Sequence, residues 1–167
     1  VYLPSYHYGG DSPIPLGEFL ADYLSPNGTH YSKNNFTRSK TGGKFVYSNI
    51  GAGLAGYIVE RVSGKPLNIF TREIIFKPLG MNNTCWFLSE MDRAKHSRLY
   101  ESKKNNTLLD NIELYGLTTY PDGGVRTTVA DLSRYLLCIM NKGLYKGTRI
   151  LKEETVSEML TPDYIDS

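Results

Sequence analysis

Tyr47, Ser48 and Asn49 are three consecutive polar residues whose types and order could take part in chemistry. A phenol ionises with a reference pKa of about 10, and an Asn amide both donates and accepts hydrogen bonds. Ser and Asn also cap helices, because their side chains accept a hydrogen bond from an orphan backbone N–H. A Tyr just before a helix N-terminus, with an Asn two residues later, can direct both side chains into a cleft. We therefore predict a candidate site at Tyr47 and Asn49, with Ser48 as the helix cap and Asn49 open to either role.

The elements that position these residues follow from hydrophobic spacing and turn residues. Residues 45–47 are aromatic or β-branched and predict an extended start. The helix that follows should end at Gly64, a residue type favoured in left-handed C-terminal caps, before Pro66. It carries an apolar stripe at three- and four-residue spacing, made by Gly51, Leu54, Ala55, Ile58 and Val62. Its glycines predict close packing against a neighbouring element.

The rest of the chain is predicted to be mainly α with a few short strands, in a single domain. Further helices are expected at residues 15–24, 67–75, 129–142 and 153–160, the third one capped by Thr128. The inward-facing side chains of the last three are expected to be Leu67, Phe70, Ile74, the Leu132–Met140 stripe, Val156, Met159 and Leu160. A turn that contains Gly123 and Gly124 is predicted at residues 120–124. A surface loop is predicted at residues 102–110 and a short strand at residues 146–151.

Composition excludes several classes of function. Hydrophobic content of 40%, charged content of 22% and a net charge of +2 are those of an ordinary globular domain without a nucleic-acid-binding stripe. The three His residues are far apart and the two cysteines lack metal-ligand spacing, so we expect no metal and no cofactor. Whether Cys85 and Cys138 pair stays open. No apolar run approaches the roughly 18 residues of a membrane span.

Two ordered patterns resemble the serine β-lactamase-like family, which comprises class C β-lactamases, D-Ala-D-Ala peptidases and related esterases. The first is Gly42-x-x-Phe45-x-Tyr47-Ser48-Asn49-x-Gly51-x-x-Leu54-x-Gly56-x-Ile58-x-Glu60-x-x-Ser63-Gly64, followed by Pro78-Leu79-Gly80-Met81. The second is Gly123-Gly124-Val125-Arg126-Thr127-Thr128-x-x-Asp131-Leu132, similar to a later Gly-Gly-x-x-Ser-Thr-x-x-Asp-Leu segment of that family. Together the patterns cover the chain from about Leu16 to Leu160.

The resemblance implies a serine nucleophile in a Ser-x-x-Lys motif, Tyr47 as proton acceptor or relay, and Asn49 as a ligand of the substrate's acyl side chain. Ser48, Gly123 and Gly124 would line the substrate cleft. A later Lys-Thr-Gly or His-x-Gly strand would complete the site. The implied substrate is a small acyl compound such as a β-lactam, a D-Ala peptide or an ester.

This chain departs from the family pattern at the nucleophile. None of its serines is followed three residues later by Lys, and Lys40-Thr41-Gly42 falls before Tyr47 rather than after it. We therefore interpret residues 1–167 as an interior segment, the helical subdomain of the family's α+β fold, without the Ser-x-x-Lys region and the final strands. The chain alone is expected to be inactive. A non-catalytic helical binding module derived from the family is the alternative.

An isolated helical subdomain would leave an apolar face open to solvent, which favours self-association. We therefore predict self-association of this chain or marginal stability. The cellular compartment stays open, with a lean toward an extracytoplasmic or secreted location.

Overall fold

The structure is a computed structural model that describes residues 6–40, 42–43, 45–102 and 109–162. The chain divides into two compact units. The first consists of Val1–Thr37, Ser48–Ile58 and Cys85–Val125, and the second of Arg38–Tyr47, Val59–Thr84 and Arg126–Ser167.

Among its described residues, the first unit contains two short antiparallel strand pairs. β1 (Tyr6–Tyr8) pairs with β4 (Tyr115–Leu117), so that His7 lies opposite Gly116. β2 (Leu99–Ser102) pairs with β3 (Leu109–Ile112) in a hairpin that the sequence analysis assigned in part to a loop. Residues 103–108 of that expected loop lie outside the described residues.

Helix α1 (Leu16–Leu24) also belongs to the first unit and confirms the prediction for residues 15–24. It begins after Pro15 and buries Leu16 and Leu20, which are four residues apart on one face. Short 3₁₀ turns in the described part of this unit lie at Lys33–Asn35, Leu88–Glu90 and Arg93–Lys95, and another lies at Tyr120–Asp122 in the predicted turn.

Helix α2 (Asn49–Ser63) confirms the predicted helix and its end. Gly64 has a φ of 69°, and its N–H donates to the Glu60 carbonyl at 2.9 Å. The packed face of α2 is the glycine face, with Gly53 and Gly56 buried. The stripe Leu54, Ile58 and Val62 is exposed instead. The glycines lack a Cβ, so neighbouring side chains can approach the helix backbone on that face.

In the second unit, helix α3 (Leu67–Thr71) continues into one π-helical turn at Arg72–Phe76. The N–H of Lys77 donates to the Arg72 carbonyl at 2.9 Å, a bond that spans five residues. The wider turn shifts which residues face inward, so Phe76 is buried and Ile74 is 46% exposed. The expected burial of Ile74 was therefore wrong, whereas Leu67 is buried as predicted.

Helix α4 (Val129–Met140) begins at the predicted cap, where the Thr128 hydroxyl accepts from the Asp131 N–H at 3.2 Å. The buried residues of α4 are Asp131 and Cys138. The predicted core stripe is wrong for most of its length, because Leu132, Leu136 and Met140 are exposed. Cys85 and Cys138 are both buried, and neither is part of a disulfide.

The second unit ends with a hairpin and a helix. β5 (Leu144–Tyr145) pairs with β6 (Thr148–Arg149), which lies in the predicted strand region 146–151. Helix α5 (Glu153–Leu160) has the predicted bounds and buries Val156. Met159 and Leu160 are exposed, so their expected burial was wrong. Across the described residues, helices predominate and strands span two to four residues.

Candidate active site

Tyr47 lies in the second unit and is 76% exposed to solvent. Phe45 and Val46 before it are exposed as well, and the structure assigns no strand to residues 45–48. The extended start predicted for this segment is therefore not part of a sheet in the described residues. The phenol of Tyr47 is open to an incoming group.

Ser48 is the cap of α2, as predicted. Its Oγ accepts from the N–H of Gly51 at 3.0 Å, and its carbonyl accepts from the N–H of Ala52 at 3.1 Å. Asn49, the first residue of α2, is half-buried in the first unit. The hydroxyl of Ser48 already serves the helix end, so Ser48 is suited to holding this segment in place rather than to nucleophilic attack.

The first unit brings α2 against the segment that precedes Gly123 and Gly124. A Cβ placed on Gly53 would lie 3.5 Å from the Thr119 side chain and 3.8 Å from Leu16. Gly53 is four residues after Asn49, a rise of about 6 Å along a helix axis. The start of α2 and the Thr119 segment are therefore neighbours in this unit.

Gly123 and Gly124 follow the 3₁₀ turn Tyr120–Asp122. The Gly124 N–H donates to the Tyr120 carbonyl at 2.8 Å, and a Cβ on Gly124 would lie 2.8 Å from that same oxygen. Any larger residue at position 124 would therefore disturb the turn. Gly123 is exposed and Gly124 is buried.

An aromatic cluster that the sequence analysis did not identify anchors this turn. Tyr120 is buried, with its ring centroid 4.8 Å from that of Phe87 and 5.5 Å from that of Trp86. Both spacings are in the range of favourable edge or tilted aromatic pairs. The three rings hold the turn in place on the first unit.

Asp122, in the same turn, is another residue whose functional potential the sequence did not reveal. The Thr119 hydroxyl donates to Asp122 Oδ2 at 2.6 Å, and Asp122 is half-buried. Burial raises the pKa of Asp122, because a partly desolvated carboxylate is less stable in its charged form. In the sequence, the only sign of this contact is a Thr three residues before an Asp. That spacing is a weak signal, because it does not reveal whether the carboxylate is buried.

A polar network in the second unit joins two of the family-like motifs. Asp131, 1% exposed, accepts from the Asn83 N–H at 2.7 Å, from the Thr84 hydroxyl at 3.1 Å and from the Arg134 guanidinium. Arg134 also donates to the Gly80 carbonyl at 2.8 Å. The segment after Pro78 is thereby tied to the first turns of α4.

The described residues contain no group of three or more His, Cys, Asp and Glu side chains that could hold a metal ion. No helix among them is long and apolar enough to cross a bilayer.

Residues 14–165 match the family model described as Beta-lactamase. The chain belongs to the Beta-lactamase family. An N-acetylmuramyl-L-alanine amidase of Bacillus subtilis strain 168 is 27% identical over 146 residues, which are 76% of this chain and 33% of that protein. A candidate D-alanyl-D-alanine carboxypeptidase of Escherichia coli strain K12 is 26% identical over 75% of this chain and 33% of that protein.

Among solved structures, the octameric penicillin-binding protein homologue of Pyrococcus abyssi has a TM-score of 0.65 and 25% identity with this chain. The similarity covers 90% of this chain and 36% of that structure. The chain thus spans about a third of the length of each of these relatives. The resemblance noted in the sequence is confirmed at the level of the family.

Proposed function

We propose that this chain supplies the Tyr-x-Asn part of the active site of a serine hydrolase that acts on small amides or esters, such as β-lactams or D-Ala peptides. The observation that carries the proposal is the capped start of α2. There Ser48 is committed to the helix end, Tyr47 is exposed directly before it, and Asn49 is the first helical residue. The relatives named as an amidase and a carboxypeptidase support amide substrates.

In this proposal Tyr47 accepts or relays the proton of the serine nucleophile. A phenol does so only when nearby cations lower its pKa, which is the part the Lys of a Ser-x-x-Lys motif would play. The amide of Asn49 would hold the substrate's acyl side chain by one donated and one accepted hydrogen bond. Gly123 and Gly124 would form the rim of the cleft.

We further propose that residues 1–167 are the helical part of a longer α+β domain. The coverage of only about a third of each relative supports this. The sequence has no Ser-x-x-Lys, so the chain alone should form no acyl-enzyme.

The first experiment is covalent labelling of the chain with a fluorescent penicillin and with a fluorophosphonate. Intact mass spectrometry should show the unmodified mass, while a penicillin-binding protein treated in parallel is labelled. An adduct on the isolated chain would overturn the proposed absence of the nucleophile.

The second experiment addresses Tyr47 in the longer protein encoded by the surrounding coding sequence. That coding sequence should contain a Ser-x-x-Lys before Tyr47. Tyr47→Phe should then lower the rate of acylation by about 10²–10⁴-fold, the range of general acid–base catalysis. Tyr100→Phe is the matched control, because Tyr100 is an exposed residue of β2. Equal rates in both variants would contradict the role of Tyr47.

The exposed apolar side of α4 favours a second candidate function, a non-catalytic module that binds another protein. Val129, Leu132, Leu136 and Met140 recur at three- and four-residue spacing on this helix and are all more than half exposed. Such a patch usually marks an interaction site. We propose that, in the isolated chain, a second copy covers it.

Light scattering tests this association. The chain should show a concentration-dependent mass above that of the 18.8 kDa monomer. Leu136→Glu should shift it toward monomer, whereas Ser157→Glu, an equal charge change at an exposed polar position of α5, should not. A monomer at all concentrations, with a cooperative melt well above room temperature, would contradict the proposal.

A further inference from the structure

Asp122 is held in place by two hydrogen bonds to Thr119 in the first unit, one from its backbone and one to its carboxylate. Its own N–H donates to the Thr119 carbonyl at 2.9 Å, and the Thr119 hydroxyl donates to Oδ2 at 2.6 Å. Thr119 is itself buried against Gly53 of α2. A group fixed in this way loses little further freedom when it binds a ligand.

The turn that carries Asp122 is also anchored from its other end. Tyr120 is buried and its ring contacts the rings of Trp86 and Phe87, while its carbonyl accepts from the Gly124 N–H. Asp122 therefore lies on a rigid turn, directly before the exposed Gly123.

Despite this placement, Asp122 makes no ion pair with any residue in the part of the chain that the structure describes. Its one side-chain hydrogen bond there is to a neutral hydroxyl. Burial raises the pKa of the carboxyl, so keeping the carboxyl ionised in the folded chain costs free energy. A partly desolvated carboxylate recovers that cost when a cation binds to it, and such groups cluster at functional sites.

We propose that Asp122 is a specificity-determining residue that binds an ammonium group of the substrate. The proposal rests on the proposed function, because it requires Gly123 and Gly124 to be the rim of the substrate cleft. It narrows the substrate class to acyl compounds that carry a free amine, such as amino-acid amides or esters. These should be preferred to their N-acylated counterparts. The recognition would be a charge-assisted hydrogen bond from the ammonium to the carboxylate oxygen.

The test compares two probes that differ in the charge at one nitrogen. D-Alanine amide carries an ammonium at neutral pH, and N-acetyl-D-alanine amide does not. Each is titrated into the ¹⁵N-labelled chain, and amide shifts are followed. D-Alanine amide should shift the amide signals of residues 119–124 other than Pro121, and it should bind about tenfold more tightly than the acetylated probe, as expected for one charge-assisted bond.

Asp122→Asn should abolish that preference. The variant should fold, because the Asn carbonyl oxygen can still accept the Thr119 hydroxyl, and its circular dichroism should match that of the parent chain. Asp122→Glu keeps the charge and should retain part of the preference. Asp92→Asn is the control for net charge, since Asp92 is exposed and caps a separate 3₁₀ turn.

Three outcomes overturn the inference. They are equal affinity for both probes, no shift from either probe, and a preference that persists in Asp122→Asn. If both probes bind equally at residues 119–124, the result still supports a ligand cleft at these residues and contradicts only the role of Asp122. The Tyr47 experiment on the longer protein decides the serine mechanism separately, because it measures the rate of acylation rather than the binding of an amine.

Discussion

Asp131→Asn removes the negative charge from a buried carboxylate that accepts hydrogen bonds from three different groups. In the parent chain one oxygen accepts from the Asn83 N–H and the Thr84 hydroxyl, and the other from Arg134. The Asn amide has a single acceptor oxygen. Whichever way it is oriented, its NH₂ group faces a donor that has lost its partner.

The magnitude follows from which donors are stranded. The Arg134 side chain is 36% exposed and can be hydrated, and Thr84 keeps the Thr127 hydroxyl at 2.8 Å. The favoured orientation therefore keeps the amide oxygen on the Asn83 N–H and the Thr84 hydroxyl and turns the NH₂ group toward Arg134. The cost is the lost charge-assisted bond to Arg134, and it should lie at or below the range of about 3–5 kcal/mol for breaking a fully buried pair, because the guanidinium can be hydrated. We expect a loss of about 2–4 kcal/mol in the free energy of unfolding.

The assay is urea unfolding followed by tryptophan fluorescence and by circular dichroism. With an m-value of about 1–3 kcal/mol/M, the midpoint should fall by about 1 M or more, and the Tm by about 5–15 °C. Asp92→Asn is the control, because Asp92 is exposed and accepts from the Ala94 N–H at 3.1 Å, a role that Asn fills equally well. If the two variants differ by less than about 0.5 kcal/mol, the buried network does not stabilise the fold as argued.

Three further predictions follow from burial, backbone conformation and charge. Leu79→Ala should cost about 3–5 kcal/mol in urea unfolding because Leu79 is buried, whereas Leu136→Ala on the exposed side of α4 should cost about 1 kcal/mol or less. Gly64→Ala should lower the free energy of unfolding by about 1–2 kcal/mol, since Gly64 has a φ of 69° that L-residues adopt at that cost. Burial raises the pKa of Asp122, so the parent chain loses stability as the pH rises from the ordinary value of about 3.9 through the folded value. Asp122→Asn should therefore have the higher Tm at neutral pH, and thermal melts should show this advantage shrinking below about pH 3.9.

The helices could be predicted from the sequence because their start and stop signals are local. Ser48 and Thr128 cap the helices they were expected to cap, and Gly64 has the expected left-handed conformation. A cap bonds to a backbone N–H two or three residues away, so no distant part of the chain is needed to form it.

The buried faces could not be predicted in the same way. An apolar stripe such as Leu132, Leu136 and Met140 has the same spacing whether or not another element covers it. In α2 the packed face is made by Gly53 and Gly56, which add nothing to an apolar stripe but permit close approach.

Short strands and buried carboxylates depend on partners that are distant in the sequence. β1 has only three residues and pairs with β4 across most of the first unit, so no local alternation identifies it.

Asp122 and Asp131 differ little as sequence signals, since each is an Asp three residues after a Thr. Their contacts nevertheless separate them, with a neutral hydroxyl at Asp122 and a guanidinium at Asp131.

That difference decides how the two carboxylates should respond to the same substitution. Asp131 has its counter-charge within the fold, so Asp131→Asn should destabilise the chain. Asp122 has none in the described residues, so Asp122→Asn should stabilise the chain at neutral pH while removing the preference for an amine. A purely structural Asp122 would lose stability on substitution and leave ligand preference unchanged. A higher Tm together with a weaker amine affinity would therefore identify Asp122 as a carboxylate whose partner is a ligand. A lower Tm with unchanged amine affinity would identify it as part of the scaffold.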